Sequence, residues 1–453
     1  MARNSPRFWV VLLLILALSG AGSAGYLLWR QKSPGPQVEL LPAPRYLGSS
    51  TPLAMQLRAA RGGVASVELR LVQGSTNGLV LARSFPAAPS EQRVEVTVEP
   101  AALGAREGDA ELQVFARDGF WRPLAPTAPS LVVPVVVDLT PPALEVISYT
   151  RYMDQGGSGV AVLRAPEAAV AGVSVGGLEQ PAFALEGAPP GVLVALFALP
   201  WDQPTPVALT AFARDEAGNT AVRGIPGEVR RKRFSTDTIE LRADFMTRAV
   251  AELLPQANPS TPETLLAAFL TVNRDLRRQA LEEAARVGRS SAAEVFWAGA
   301  FLQPPNTKVF ANFAETRVYR WQGQEVDRQV HLGYDLASVQ RAPVPAANSG
   351  VVVFAEPLTI YGNTVILDHG LGLQTLYAHL SSIGVREGER VARGQELGRT
   401  GTTGLAVGDH LHYEVLLHGR SVTPVEWWDG KWIRDRIVGP LGEGGVRPFP
   451  GGS

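Results

Sequence analysis

The chain has 453 residues, 45% hydrophobic and 19% charged, with 42 basic against 43 acidic side chains and a formal net charge of -1. That length corresponds to roughly two to four domains; the apolar share excludes a chain disordered throughout, and the balanced charge leaves no cationic surplus for nucleic acid. The absence of cysteine excludes disulfides, thiolate metal ligands and a cysteine nucleophile, while 35 prolines and 46 glycines point to a loop-rich, mainly β protein.

Residues 1–30 read as a transmembrane signal anchor. Phe8 to Trp29 carries no charge and has the length of a membrane span, with Trp9, Tyr26 and Trp29 near its ends, where interfacial aromatics belong. The small-residue run Ser19 to Gly25 also suits signal-peptidase cleavage after Ala21 or Ala24. Apolar residues resume beyond it, which favours an uncleaved single-pass helix. Arg3 and Arg7 before the span and Arg30 and Lys32 after it do not orient it by charge.

Residues 31–44 form a proline-rich linker. Strand-like alternation follows, as in Val67 to Val72, Arg93 to Val98 and Glu111 to Phe115. Phe115-Ala116-Arg117-Asp118 recurs as Phe212-Ala213-Arg214-Asp215, and Val137-Asp138-Leu139-Thr140-Pro141-Pro142 between them has the look of a seam. The expectation is two immunoglobulin-like β-sandwich modules, 45–138 and 139–233, acting as spacers or binding modules; one large β domain is the plainer alternative. Neither stretch holds a catalytic constellation.

The period then changes to helical, giving a helical linker unit over 234–300. Ser260 is the expected N-cap, with Pro262 in the first turn and Glu263 closing a capping box. Leu265, Leu266, Phe269, Val272 and Leu276 recur at helical spacing, with Arg274, Arg277, Arg278, Glu282 and Glu283 on a solvated opposite face. The helix ends near Gly288, and a second short helix is expected over Ala292 to Ala300.

Residues 301–435 form the last domain, antiparallel β, followed by a flexible tail over 436–453. Strands are expected at Val351 to Ala355, Thr364 to Leu367, Gln374 to Tyr377 and Leu411 to Leu417. Three motifs lie at their edges: His331-Leu332-Gly333-Tyr334-Asp335, Tyr377-Ala378-His379-Leu380 and His410-Leu411-His412. Gly333 and the flanking alternation argue that a bend, not a helix, joins His331 to Asp335. In a strand His410 and His412 face the same way and Leu411 the other. Zinc takes His nitrogens and a carboxylate, and a catalytic site uses three protein ligands and an open position. One His, Asp335 and one member of the His-x-His pair fill that count, leaving other histidines for proton work.

Any one of these motifs alone is weak, since a lone histidine is most often structural. Their co-occurrence in one domain of a chain with only 6 histidines is what points to a metal site. His369 reads as a structural turn residue and His418 as an exposed one. Gly398, Gly401 and Gly404 make no phosphate loop, because no lysine follows and a strand comes next. The lack of a His-Glu-x-x-His helix excludes a thermolysin-type site.

These motifs, in this order, resemble the lysostaphin-type, or LytM-like, zinc metallopeptidases that cut peptidoglycan. The resemblance runs from Val330 to Trp428. It includes Gly362-Asn363-Thr364-Val365-Ile366-Leu367-Asp368-His369-Gly370, Glu387-Gly388-Glu389-Arg390-Val391 leading to Gly394-Gln395, and Gly408-Asp409-His410-Leu411-His412-Tyr413-Glu414-Val415. Trp321 to Gln329 and the Trp427-Trp428 pair look similar to membrane-anchored bacterial members.

The resemblance implies a small antiparallel β domain with a groove. It implies Zn2+ held by His331, Asp335 and His412, with His379 and His410 as the catalytic pair. The implied substrate is the peptide part of peptidoglycan, and the implied location is the outer, periplasmic side of a bacterial inner membrane. Asp409 stands where many members have Pro, adding a carboxylate without removing a ligand. Members that have lost catalysis and activate amidases lack several of these residues, whereas all five are present here. The competing expectation is a non-enzymatic envelope protein whose peptidase-like domain binds cell wall or activates a partner hydrolase.

Overall fold

The computed structural model describes residues 6–124 and 127–447, so Arg3 and the last residues of the expected tail lie outside the described residues. Residues 1–141 with 214–220 form one compact unit, and 142–213 with 221–453 the other.

In the first unit a helix runs over Pro6–Lys32. Phe8–Lys32 has a mean hydropathy of 2.1 and is long and apolar enough to cross a membrane. Two sheets follow. One pairs Gln37–Leu40, Thr51–Arg58 and Glu91–Val98; the other orders Tyr46–Leu47, Leu131–Val137, Gly108–Asp118, Val64–Gln73 and Thr76–Ser84. Alternation turns Leu53, Met55 and Leu57 from the first sheet and Leu69, Leu71, Leu112 and Val114 from the second into one common core.

The second unit is built around an eight-stranded, mainly antiparallel sheet. Its order is Lys308–Ala311, Tyr334–Ala337, Leu411–Leu417, Leu373–Leu380, Asn363–Gly370, Gly350–Pro357 and Arg390–Val391, with Arg420–Val422 paired beside Leu411–Leu417. Both faces are covered. On the back face Leu411, Tyr413, Tyr377 and Trp427 share a core with Val160, Val162, Val194 and Leu196. Those four come from a three-stranded sheet of Val192–Ala198, Ser158–Arg164 and Glu145–Tyr149. The Ser158–Arg164 strand is buried on both sides: Val160 and Val162 face the large sheet, while Ala161 and Leu163 face a core with Val173 and Ala211. A short continuous apolar run behaves this way when both of its faces are covered. Polar bonds reinforce the joint. Ser158 N donates to Glu426 Oε2 at 2.8 Å, and Trp427 Nε1 donates to Ser158 Oγ at 3.1 Å.

The other face carries the helical unit. Helices Ala243–Leu253, Pro262–Thr271 and Arg277–Gly288, the latter two joined by a π-helical turn over Val272–Leu276, bury Met246, Val250, Phe269 and Ala280 against Phe354, Ile366, Leu376 and Leu416.

Several local expectations are corrected. The N-cap is Thr261, not Ser260. The Thr261 hydroxyl accepts from Thr264 N, and Thr264 Oγ1 accepts from Thr261 N, so Thr264 rather than Glu263 closes the box. Residues 292–300 form no helix. Ala292 N and Ser291 Oγ are taken by the Asp368 carboxylate, and Phe296 N by His369 O, which holds the segment along a hairpin. The expected flexible tail is packed as far as Val446: Ile437, Leu441 and Val446 are buried in the back-face core. His418 is not an exposed turn residue. Its Nε2 bonds Leu196 O at 2.9 Å and its ring stacks on Phe183.

Candidate metal centre

The site forms on the sheet face that carries the helical unit, with Phe245 and Arg277 of that unit at its edge. His412 and Asp335 are directly opposed on neighbouring antiparallel strands, so their side chains share a face. Leu411 and Leu336, also opposed, point into the back-face core. His410, held just before the strand by a bridge to Gly401, joins His412 on the site face.

His331 ends a strand of a different sheet, Gln324–His331, and a bend at Leu332-Gly333 carries the chain into Tyr334–Ala337. Gly333 permits the close approach this requires. A Cβ there would lie 2.6 Å from Tyr413 O and 2.8 Å from His412 Nε2.

His379 reaches the site by a bulge. Val365 opposes Tyr377 and Asn363 opposes Leu380, so Ala378 and His379 together face Thr364 alone. Regular alternation would put His379 on the back face beside Tyr377. The extra residue, with His379 in the left-handed region at φ 60°, turns the imidazole to the site face and returns Leu380 to the back core. Positive φ is uncommon for a non-glycine residue and strains the backbone.

All five sequence-selected residues therefore converge, each no more than 7% exposed. His331 Nε2, His412 Nδ1 and Asp335 Oδ1 lie 2.9–3.0 Å from one another. The outer nitrogens settle the protons. His331 Nδ1 faces Asn312 O at 2.9 Å, and a carbonyl can only accept, so that nitrogen carries the hydrogen. His412 Nε2 donates to Glu414 Oε1 at 2.8 Å. His379 Nδ1 donates to Thr403 O at 2.8 Å and His410 Nδ1 to Gly408 O at 2.7 Å. In the neutral imidazoles every inward nitrogen is then a lone pair. Two of them meet a carboxylate oxygen, an arrangement that repels itself unless a cation or proton sits among the three. Tetrahedral zinc with ~2.0 Å bonds sets its ligands ~3.3 Å apart, near the triangle seen here. The donor set fits such an ion.

Charge follows the same logic. Burial alone would raise the Asp335 carboxyl, but His331, His410 and His412 hold it well below the usual range. Burial alone would lower His412, yet Asp335 and Glu414 outweigh it and leave the imidazole raised to about 9. Burial, helped by His410 and His412, holds His379 well below its ordinary value, hence neutral.

Two residues that sequence reading passed over complete the surroundings. Arg317 donates to Asp335 Oδ2 at 2.7 Å, occupying the outer oxygen and leaving Oδ1 inward. It arrives through a cross-strand pairing with Gln324–His331, and no local pattern near Asp335 announces it. Glu414 accepts from His412, Tyr361 Oη and, at 2.7 Å, Ser421 Oγ. Its position two after His412 on the same strand was a readable signal. Asp409 neither enters the site nor faces open solvent. It accepts from Thr400 Oγ1 at 2.6 Å and Arg341 N at 3.1 Å, bracing the loop before His410.

The cleft over the five residues encloses about 280 Å3 and is walled by Ile239, Phe245, Phe310, Tyr361 and Leu405. Arg277, expected on a solvated face, also lines it. A larger cavity of about 470 Å3 beside Glu426 and Trp432 holds none of the five, so size does not select the site; the converging lone pairs do.

A His-Asp-His cluster able to hold a metal ion, flanked by two further imidazoles, thus lies on one face of a β sheet. Residues 329–424 match Peptidase family M23, and this part of the chain resembles peptidases of the lysostaphin and LytM type. Over 97 residues it is 43% identical to the DD-carboxypeptidase/endopeptidase Mpg of Neisseria meningitidis serogroup B, covering 21% of this chain and 22% of that one. Over 96 residues it is 42% identical to the peptidoglycan DD-endopeptidase ShyA of Vibrio cholerae, with 21% and 22% covered. The chain thus spans about a fifth of the length of these relatives. Among solved structures, the catalytic domain of lysostaphin from Staphylococcus simulans is similar at 25% identity and a TM-score of 0.25, over 29% of this chain and 98% of that one. A zinc-containing peptidase from Vibrio cholerae is similar at 19% and 0.26, over 55% and 86%.

Proposed function

We propose that this protein is a membrane-anchored zinc endopeptidase that hydrolyses peptide bonds in peptidoglycan, its catalytic domain on the periplasmic side of the inner membrane. The observation that carries the proposal is the convergence of three inward lone pairs at His331, Asp335 and His412, beside the imidazoles of His379 and His410, each held through Nδ1 by a backbone carbonyl. The likeness to the peptidoglycan DD-endopeptidase ShyA supports peptidoglycan as the substrate.

Zinc held by His331, Asp335 and His412 would act as a Lewis acid on the scissile carbonyl and make water acidic enough to attack. His379 and His410, with ring centres 4.8 Å apart, do the proton work. Each is pinned through Nδ1 by a backbone carbonyl, so only Nε2 is available. One Nε2 accepts the proton that water loses as its oxygen bonds to the carbonyl carbon. The other Nε2, also a lone pair, accepts a hydrogen bond from the water's second hydrogen and holds the attacking oxygen toward the carbonyl. The proton then passes to the departing amine nitrogen as the C–N bond breaks.

The purified full-length protein should contain about one zinc per chain and should release soluble muropeptides from isolated sacculi, and a chelator should abolish that release. Protein that binds no zinc, or Asp335→Ala protein that releases as much as the parent, would overturn the proposal.

A further inference from the structure

The apolar helix does not leave the first β module bare at its membrane end. The loop 119–124 of that module is fastened to the last turn of the helix. Arg30 Nε donates to Trp121 O at 2.8 Å. Gln31 and Leu124 bond in both directions, Leu124 N to Gln31 Oε1 at 2.9 Å and Gln31 Nε2 to Leu124 O at 3.2 Å. Arg122, itself paired with Asp118, reaches Pro34 O at 2.9 Å. The Phe120 ring stands edge-on to Trp29 at 6.0 Å, with the Arg30 guanidinium 4.2 Å from its centre.

Depth follows from length. A bilayer core of ~30 Å takes ~20 helical residues. A span starting near Phe8 therefore leaves the hydrocarbon near Leu27 or Leu28, and Trp29 and Arg30 lie at headgroup level. The fastened loop lies at the same level. Yet its apolar side chains are largely open: Trp121, whose ring meets the Arg30 guanidinium, is 56% exposed and Leu124 70% exposed. Tryptophan and leucine beside Arg30 and Arg61, both packed on the Phe120 ring, are suited to the boundary between acyl chains and anionic headgroups.

We propose that the 119–124 loop is a second membrane contact, in which Trp121 and Leu124 insert into the lipid interface beside the end of the helix and so fix the tilt of the first module on the bilayer. The occupant is lipid, because the patch continues the surface of a helix end that itself emerges from the bilayer. The inference rests on the anchor and not on the catalytic reading.

The absence of cysteine makes the test direct. Full-length Leu124→Cys and Trp121→Cys proteins, each carrying one environment-sensitive fluorophore, are reconstituted in protein-free bilayers containing anionic lipid. Ser75→Cys serves as the reference. Ser75 lies in the turn at the far end of the Val64–Gln73 strand, whose first residue opposes Asp118, roughly 30 Å from the loop at ~3.3 Å per residue. Probes at 121 and 124 should be blue-shifted and quenched several-fold more strongly by shallow spin-labelled lipid than the probe at 75. Two labelled sites guard against one substitution disturbing the loop. Equal, weak quenching at all three positions overturns the proposal. So does shielding of 121 and 124 that appears only in native envelopes, which would assign the patch to a protein partner.

Discussion

The two faces of the large sheet are made by the same strands yet behave as different materials. Along Leu411–Leu417, residues Leu411, Tyr413 and Val415 enter an apolar core shared with the second β module, while His412 and Glu414 turn to the metal centre. Period-two alternation separates stability from chemistry by a single residue step. Substitutions on the two faces should therefore be separable by experiment.

The largest effect is expected on the site face. His410→Ala removes an inward Nε2 but no member of the His-Asp-His triad. Muropeptide release should fall by about 10²–10⁴-fold, with bound zinc and melting temperature close to the parent. Loss of zinc together with activity would show that His410 belongs to the ligand set instead.

On the back face, Trp427→Ala leaves a large hole among Trp297, Phe301 and Trp432 and frees the Ser158 hydroxyl. Such truncations typically cost about 3–5 kcal/mol. Urea unfolding should register that loss, while the zinc affinity of the folded protein stays near the parent's. A variant that unfolds like the parent but binds zinc weakly would break the separation of faces.

A smaller effect is expected one shell out from the metal. Glu414→Ala removes the acceptor that keeps the His412 hydrogen on Nε2 and its lone pair on Nδ1. Loss of such an orienting partner weakens metal binding by about 10–100-fold, measured by competition with a chelating dye. Glu414→Gln retains a carbonyl acceptor and should recover part of the affinity. Unchanged affinity in Glu414→Ala would mean that Asp335 alone orients the ring.

These contrasts also mark how far the sequence could be read. Alternation alone puts His410 and His412 on one face and Leu411 on the other, and Gly333 signals the bend between His331 and Asp335. It cannot place His379, whose side chain would fall on the wrong face without the bulge opposite Thr364; that bulge is a property of two strands and their register. Arg317 is likewise invisible from any stretch around Asp335, because it arrives across a strand pair. The packed end at Ile437, Leu441 and Val446 was missed for another reason. Its apolar residues are sparse and interspersed with charge and glycine, and only the surface of the neighbouring β module makes them a core.

The smallest effect tests whether a single polar group disturbs the apolar face. Glu426 is buried where the second module meets the sheet, and burial pushes its carboxyl up to about 8 from an ordinary 4.5. The folded protein therefore keeps a proton there that the unfolded chain releases above about pH 4.5. Stability from this group is fully present below that pH and declines as pH rises, until the folded group also ionises near 8. The slope in that window is at most ~1.4 kcal/mol per pH unit. Glu426→Gln keeps an acceptor for Ser158 N but cannot ionise, so its urea midpoint should vary less between pH 5 and pH 8 than the parent's. Parallel profiles for the two proteins would mean that Lys232 and neighbouring groups hold Glu426 ionised, and that the joint tolerates a buried charge.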